Sequence, residues 1–260
     1  MSFQFLTYNV SGATATITLN RAEVYNALNE ELTFELQEVL KEISRDSAVR
    51  VVVLTGAGKA FCSGQDLKDG GGQKKRSFIE SLRKRYNPII LAIRHLPKPV
   101  ICRLNGVAAG AGCSLALACD MIIASEDASL IEVFINIGLV PDSGSAYFLP
   151  RLVGMSKAFE LASKGSRVNA AEASRLGLVS QVVAPGELDA AVNAQCDYFA
   201  KAPTKAIGLI KKMLNKSATA TLEEMLEYEA YCQEVAGNTD DYHEGVSAFL
   251  EKRKPDFKGK

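Results

Sequence analysis

The chain predicts an α/β fold of repeated crossover units, and three observations carry that expectation. Two continuous apolar runs of strand length, VRVVVL at 49–54 and KPVICR at 98–103, have the composition of strands buried on both faces. Stretches with helical spacing lie between such runs, so strand and helix alternate along the first half of the chain. Glycine-punctuated turns follow the strands, FCSGQDL at 61–67 and NGVAAGAGCS at 105–114.

Taken in order, TATITL at 14–19 alternates β-branched residues and reads as the first strand, after a turn at Ser11-Gly12. Asn29 is placed to cap a helix over 30–45, in which Leu32, Leu36, Val39, Leu40 and Ile43 share one face. The VRVVVL strand then runs into TGAGKAFCSGQDL. A polar stretch from Gly70 to Arg76 reads as a surface loop and leads into a helix over 77–95. KPVICR, the glycine-rich motif, its apolar helix and the strand MIIA at 121–124 complete the alternation. Beyond Gly144 the pattern becomes helical: 146–153, 156–164, 170–176, 188–201, 204–216, 222–235 and 240–250, with only 179–183 strand-like. Residues 1–200 thus read as the core and 201–260 as a C-terminal helical region.

Composition narrows the function. Lysine plus arginine and aspartate plus glutamate both total 30, so no global basic field favours nucleic acid as a partner. The six cysteines form no CxxC pair and read as reduced core residues. Two distant histidines, His95 and His243, supply neither a zinc cluster nor a histidine-centred triad, and no metal is expected. MSFQFLTYNV lacks a basic start and an apolar leader core, and no apolar run reaches membrane-spanning length. A cytoplasmic protein with no membrane contact is the expectation.

The run VAAGAGCSLALACD at 107–120 turns from a loop directly into a buried helix. Its first amides are free to hold an anion or a polarised carbonyl, although close packing of a buried helix explains the same glycines. If FCSGQDL and NGVAAGAGCS leave adjacent parallel strands, one amide from each can converge on one ligand oxygen as an oxyanion hole. Neither run is a dinucleotide or P-loop motif. Asp142, in GLVPDSG, reads on its own as a helix cap. Glu132 reads as a surface or supporting acid, Asp120 as structural, and Tyr147 as core packing.

Five motifs in order, NRAEVYNALN, GKAFCSGQDL, NGVAAGAGCSLALACD, GLVPDSG and AASRLGLVSQVV, resemble the crotonase superfamily, the enoyl-CoA hydratase/isomerase family, over roughly residues 5 to 255. The resemblance implies the crotonase fold, repeated ββα units with a helical C-terminal trimerisation region. It implies an acyl-CoA thioester as substrate, coenzyme A entering as part of it with no separate cofactor, and a homotrimer or hexamer. Carried onto this sequence, the oxyanion amides fall on Gln65 and Ala111, the latter preceded by Gly110. Val24, Ser63, Asp66 and Leu67 match segments along the coenzyme A arm, with Glu23 beside Val24. Arg21 and Lys252 or Lys254 are candidates for its phosphates.

The family's hydratases carry two glutamates, for which this chain has Ser114 and Phe134. Asp142 stands where related isomerases carry an acid, and the surroundings resemble the ring-1,2-epoxyphenylacetyl-CoA and Δ3,Δ2-enoyl-CoA isomerases. The resemblance therefore implies an isomerase of fatty acid or phenylacetate metabolism, in which Asp142 moves a proton through an enolate. A hydratase-like enzyme, an aryl-CoA dehalogenase with Asp142 as nucleophile, and a non-catalytic acyl-CoA-binding homologue are the alternatives. The acyl pocket is expected along 70–86 and around Phe134.

Overall fold

The computed structural model describes residues 3–69 and 77–260, so the expected loop at 70–76 lies outside the described residues. Ten strands and eleven α-helices are found among the described residues. The first strand pair, β1 (Leu6–Ser11) and β2 (Thr14–Leu19), is an antiparallel hairpin closed by Gly12 at φ +57°. Helix α1 (Glu30–Arg45) starts at Asn29, whose side chain accepts from the Leu32 amide, and its five expected apolar positions are all buried.

Three ββα units follow. Strands β3 (Val51–Gly56) and β4 (Ala60–Cys62) lead into a helical stretch made of α2 (Phe78–Ser81), a π turn (Leu82–Tyr86) and α3 (Asn87–His95). Strands β5 (Val100–Leu104) and β6 (Val107–Ala109) lead into α4 (Ala111–Leu117). Strands β7 (Met121–Ser125) and β8 (Ser129–Ile131) lead through a 3-10 turn, Val133–Ile137, to α5 (Ser145–Val153) and α6 (Met155–Lys164).

The first strand of each unit joins a six-stranded sheet, order β1-β2-β3-β5-β7-β10, which is parallel from β2 onward. The second joins a four-stranded sheet, order β4-β6-β8-β9, where only β9 (Arg167–Asn169) runs antiparallel. Strand β10 (Gln181–Val183) and helices α7 (Ala170–Arg175), α8 (Leu188–Lys201), α9 (Thr204–Ser217), α10 (Leu222–Gly237) and α11 (Asp240–Glu251) complete the chain.

The continuous apolar run of β3 follows from its position. Val52 and Leu54 face the main core with Leu36 of α1, whereas Val51 and Val53 face Leu188, Val192 and Cys196 of α8. Covered on both faces, the strand has no polar side to alternate with. All six cysteines are buried and unpaired in disulfides, as expected. Asp120 is structural, also as expected: it accepts from the Val100 amide, Arg94 and the buried Lys211 ammonium.

Two expectations are corrected. The turn after β3 is not one long loop, because β4 interrupts it; Gly56 turns there against the Phe61 and Ala60 carbonyls, which a Cβ would meet at 2.2 and 2.4 Å. Tyr147 is not core: it is 38% exposed, and the Arg151 guanidinium lies 3.8 Å from its ring centroid. Among the described residues no helix is long and apolar enough to cross a membrane.

Candidate active site

The four-stranded sheet brings the two glycine turns together. Strand β4 lies parallel to β6, so the segments leaving their carboxyl ends, Ser63–Gln65 and Gly110–Gly112, emerge side by side. Their approach leaves no room for side chains. A Cβ on Gly64 would lie 2.8 Å from the Ala109 carbonyl and 3.5 Å from the Ala111 nitrogen, and one on Gly112 would lie 2.2 Å from the Cys62 carbonyl. Gly64 at φ +95° and Gly110 at φ +53° also require glycine conformationally.

The main-chain hydrogen bonds leave amides free on both turns, Gln65 on the first and Ala111 at the start of α4 on the second. On the first, Leu28 donates to Gly64 and Asp66 donates to Leu28, which passes over Gln65. On the second, Gly110 donates to Ile131 in the sheet, and Ala111 begins α4 without an earlier turn to bond to. Neither the Gln65 nor the Ala111 amide has a hydrogen-bond partner among the described residues. Two free donors thus stand on turns that glycines bring into close contact.

The stretch at 20–29 buttresses the first turn. Asn26, fully buried, donates to the Ala57 and Ala60 carbonyls and accepts from the Arg21 amide. Asn105 donates to Gly58 and Ala60 from the other side. Ser63 bonds the carbonyls of Val24, through its hydroxyl, and Tyr25, through its amide. Arg21, a candidate for the coenzyme phosphates, is instead turned inward: it donates to Asp66 at 2.9 Å and to the Ala27 carbonyl at 2.5 Å. Burial works to raise the Asp66 carboxyl, but Arg21 and the Lys68 amide outweigh it and hold it below its usual range. Val24 and Ser63 are in contact through the Ser63 hydroxyl, and Leu67, next to Asp66, is 71% exposed.

Asp142 sits on the third side, in the turn before α5. It does not cap that helix: the cap position is Gly144, which offers no side chain. The Asp142 carboxylate instead accepts from Ser143 at 2.8 Å, and Ser143 and Gly144 both adopt left-handed backbone, φ +52° and +90°. Burial raises its pKa above the usual aspartate value, opposed by the Ser143 hydroxyl, and among the described residues no cation pairs with it. Phe134 packs beside Gly110, within 4 Å of where a Cβ would stand.

Several groups of the site carry no local signal in the sequence. Tyr86, on the π turn, is 4% exposed, and its hydroxyl has no hydrogen-bond partner among the described residues. Burial raises its pKa, Arg85 lowers it and the Asp142 charge raises it further, so it stays a donor. Ser114 and Ser145, 31 residues apart, share a 2.7 Å hydrogen bond, and Ser145 touches Glu132 at 2.8 Å. Glu132 is 3% exposed, which leaves only the supporting one of its two expected roles. Beside Ser143 and Gly144 a cavity of about 380 Å³ opens between Ile90 and Leu91 of α3 and Tyr147 and Phe148 of α5.

Comparison with known proteins shows the family and the fold. The profile of the family described as "Enoyl-CoA hydratase/isomerase" matches residues 9–260. The chain is 42% identical over 260 residues to the 1,2-epoxyphenylacetyl-CoA isomerase of Escherichia coli (strain K12), covering 99% of each protein. It is 41% identical to a probable enoyl-CoA hydratase of Rhodobacter capsulatus, covering 100% of both. Its fold superimposes on an enoyl-CoA hydratase crystal structure from Bacillus anthracis with a TM-score of 0.94 at 36% identity, covering 99% of this chain and 100% of that one. The chain belongs to the enoyl-CoA hydratase/isomerase family, and its fold is the crotonase fold.

Proposed function

We propose that the protein is an acyl-CoA isomerase that relocates a proton, with Asp142 as the acid–base and the Gln65 and Ala111 amides as the oxyanion hole. The observation that carries this reading is the half-buried Asp142 carboxylate, whose pKa burial raises and beside which no cation stands among the described residues. The positions that would hold a hydratase's two acids are Ser114 and Phe134, and neither can move a proton as a carboxylate does. Glu132, the other buried acid nearby, is engaged by Ser145.

In this mechanism the thioester carbonyl lies between the two amides, and Asp142 removes an α or γ proton. Charge passes to the oxygen as an enolate, which the amides stabilise; one such donor is worth roughly 3–4 kcal/mol. The acid form of Asp142 then returns the proton at another carbon. Burial favours this role, because a raised pKa equips one carboxyl to take and give a proton near neutrality. Val24, Ser63, Asp66 and Leu67 would line the coenzyme A arm, while the internal pairing of Arg21 favours a structural role for that residue. Phe249 and Leu250 of α11, 83% and 73% exposed, suit a helical subunit interface of the homotrimer or hexamer.

The experiment is a mass-spectrometric screen of acyl-CoA thioesters, including 3-enoyl and ring-epoxide substrates. Conversion without mass change supports isomerisation. Gain of one water would establish the hydratase reading, which the Rhodobacter capsulatus relative favours.

A further inference from the structure

Ser114, Ser145 and Glu132 form a buried chain ending on the main chain of Asp142. The Ser114 hydroxyl lies 3.0 Å from the Asp142 carbonyl oxygen and 2.7 Å from the Ser145 hydroxyl, which lies 2.8 Å from Glu132 Oε1. Relative exposures of 0%, 0% and 3% for Ser114, Ser145 and Glu132 keep bulk solvent away. A carbonyl only accepts, and each hydroxyl carries one proton. These three contacts need three protons, of which the two hydroxyls supply two, the Ser114 proton being shared with the Gly110 carbonyl at 3.3 Å. If Ser114 donates to Asp142 and Ser145 to Ser114, the third must come from the carboxyl. An ionised Glu132 would instead draw the Ser145 proton to itself and the Ser114 proton to Ser145, taking the donor away from Asp142.

We propose that Glu132 carries a proton and donates it to Ser145, heading a one-way hydrogen-bond chain through Ser114 that holds the Asp142 main chain against the oxyanion helix α4. Glu132 is on this account a positioning residue. The chain bridges the segment after β8, the start of α5 and α4, the three pieces that set Asp142 relative to Ala111. Donors aligned in one direction polarise one another, which strengthens each bond. When the chain reverses, the Asp142 carbonyl keeps, among the described residues, only the Ser145 amide at 3.1 Å.

The surroundings favour the protonated form. The titratable groups facing Glu132 are Cys113 of α4 and Asp142 before α5. Strand β8, helix α6 and strand β9 present Leu130, Leu161 and Val168, with Ser166 between the last two elements. Among the described residues no cation reaches the carboxyl, and Oε2 has no hydrogen-bond partner. Burial is the largest influence on Glu132 and raises its pKa; the Asp142 charge acts in the same direction, against the Ser145 and Cys113 contacts.

The test combines infrared spectroscopy with pH profiles. At neutral pH the wild type and Asp142→Asn are expected to show the carbonyl stretch of a protonated carboxylic acid that Glu132→Gln lacks. With 3-hexenoyl-CoA and 1,2-epoxyphenylacetyl-CoA as probes, wild-type kcat is expected to fall roughly fivefold on the alkaline side with KM unchanged, the equivalent of one neutral hydrogen bond. Glu132→Gln, whose amide donates at every pH, should keep the higher rate throughout, and Ser114→Ala should show the lower rate throughout. Absence of the band from Asp142→Asn, or an unchanged alkaline fall in Glu132→Gln, overturns the proposal. The kinetic readout rests on Asp142 being the acid–base. If neither thioester is converted, that reading fails, and the infrared comparison still decides the protonation of Glu132.

Discussion

Replacing Asp142 with asparagine separates chemistry from folding. Asparagine keeps the size of the side chain and an Oδ1 that can accept the Ser143 hydroxyl, now at 2.8 Å. It also removes a charge that burial disfavours, since the folded protein holds the Asp142 proton more tightly than the unfolded chain does. Ionised Asp142 therefore opposes folding as pH rises through its raised pKa, and the variant should be as stable as the wild type or slightly more so. Catalysis has no substitute: Ser114 is spent in hydrogen bonds, Phe134 has no proton to give, and Glu132 is buried and engaged. Loss of a positioned general acid–base costs about 100- to 10,000-fold, so kcat should fall about a thousandfold, roughly 4 kcal/mol of barrier. Conversion of 3-hexenoyl-CoA and 1,2-epoxyphenylacetyl-CoA, followed by chromatography against pH, measures it. Wild-type kcat/KM should rise with pH through a pKa above the ordinary aspartate range, and that limb should vanish in the variant. A folded Asp142→Asn protein retaining more than about a tenth of the wild-type rate would refute the assignment.

Three further substitutions probe the scaffold. Gly112→Ala puts a Cβ 2.2 Å from the Cys62 carbonyl, so the two turns must part. It should lower kcat about 100-fold or more and stability by about 1–3 kcal/mol, and wild-type turnover would disprove the tight fit. Arg21→Ala strips Asp66 of its partner at 2.9 Å and should cost about 3 kcal/mol by urea denaturation at neutral pH. Because Asp66 is held below its unfolded pKa, that stabilisation is present above the unfolded value and lost as pH falls through the folded one. The variant's disadvantage should therefore shrink in acid. Lys211→Met leaves Asp120 and the Ile93 and Lys98 carbonyls without the buried ammonium and should also cost about 3 kcal/mol in the same assay.

Much of this fold is legible before any coordinates, for physical reasons. Helix α1 repeats its apolar residues with the helical period and has its cap in sequence, so both its bounds and its buried face can be read. Strand β3 is apolar from Val51 to Leu54 because both of its faces are covered. Strands β4, β6, β8 and β9 span three residues each, too short for any periodicity, and the second sheet therefore stays hidden. Its partial trace is the glycine pair at 64 and 112, forced by a backbone contact across 48 residues of sequence. Asp142 stands out through the family resemblance, since the bare sequence suits a cap equally well. Glu132 does not stand out, because an acid between Ile131 and Val133 looks like the polar side of a surface strand. Only the long-range meeting with Ser145 reveals its role.

The four-stranded sheet also bears on how the protein is made. Its strands come from residues 60–62, 107–109, 129–131 and 167–169, and each of the first three pairs with one synthesised later. Pairings so distant in sequence close slowly, because the intervening chain must be ordered first. A nascent chain released from the ribosome only as far as α5 holds Asp142 and both turns but lacks the β9 edge that closes the sheet. The main hydrophobic core can begin to gather around β1–β3 and α1 well before that point. During synthesis the sheet that carries both turns therefore keeps an open edge at β8 until β9 emerges.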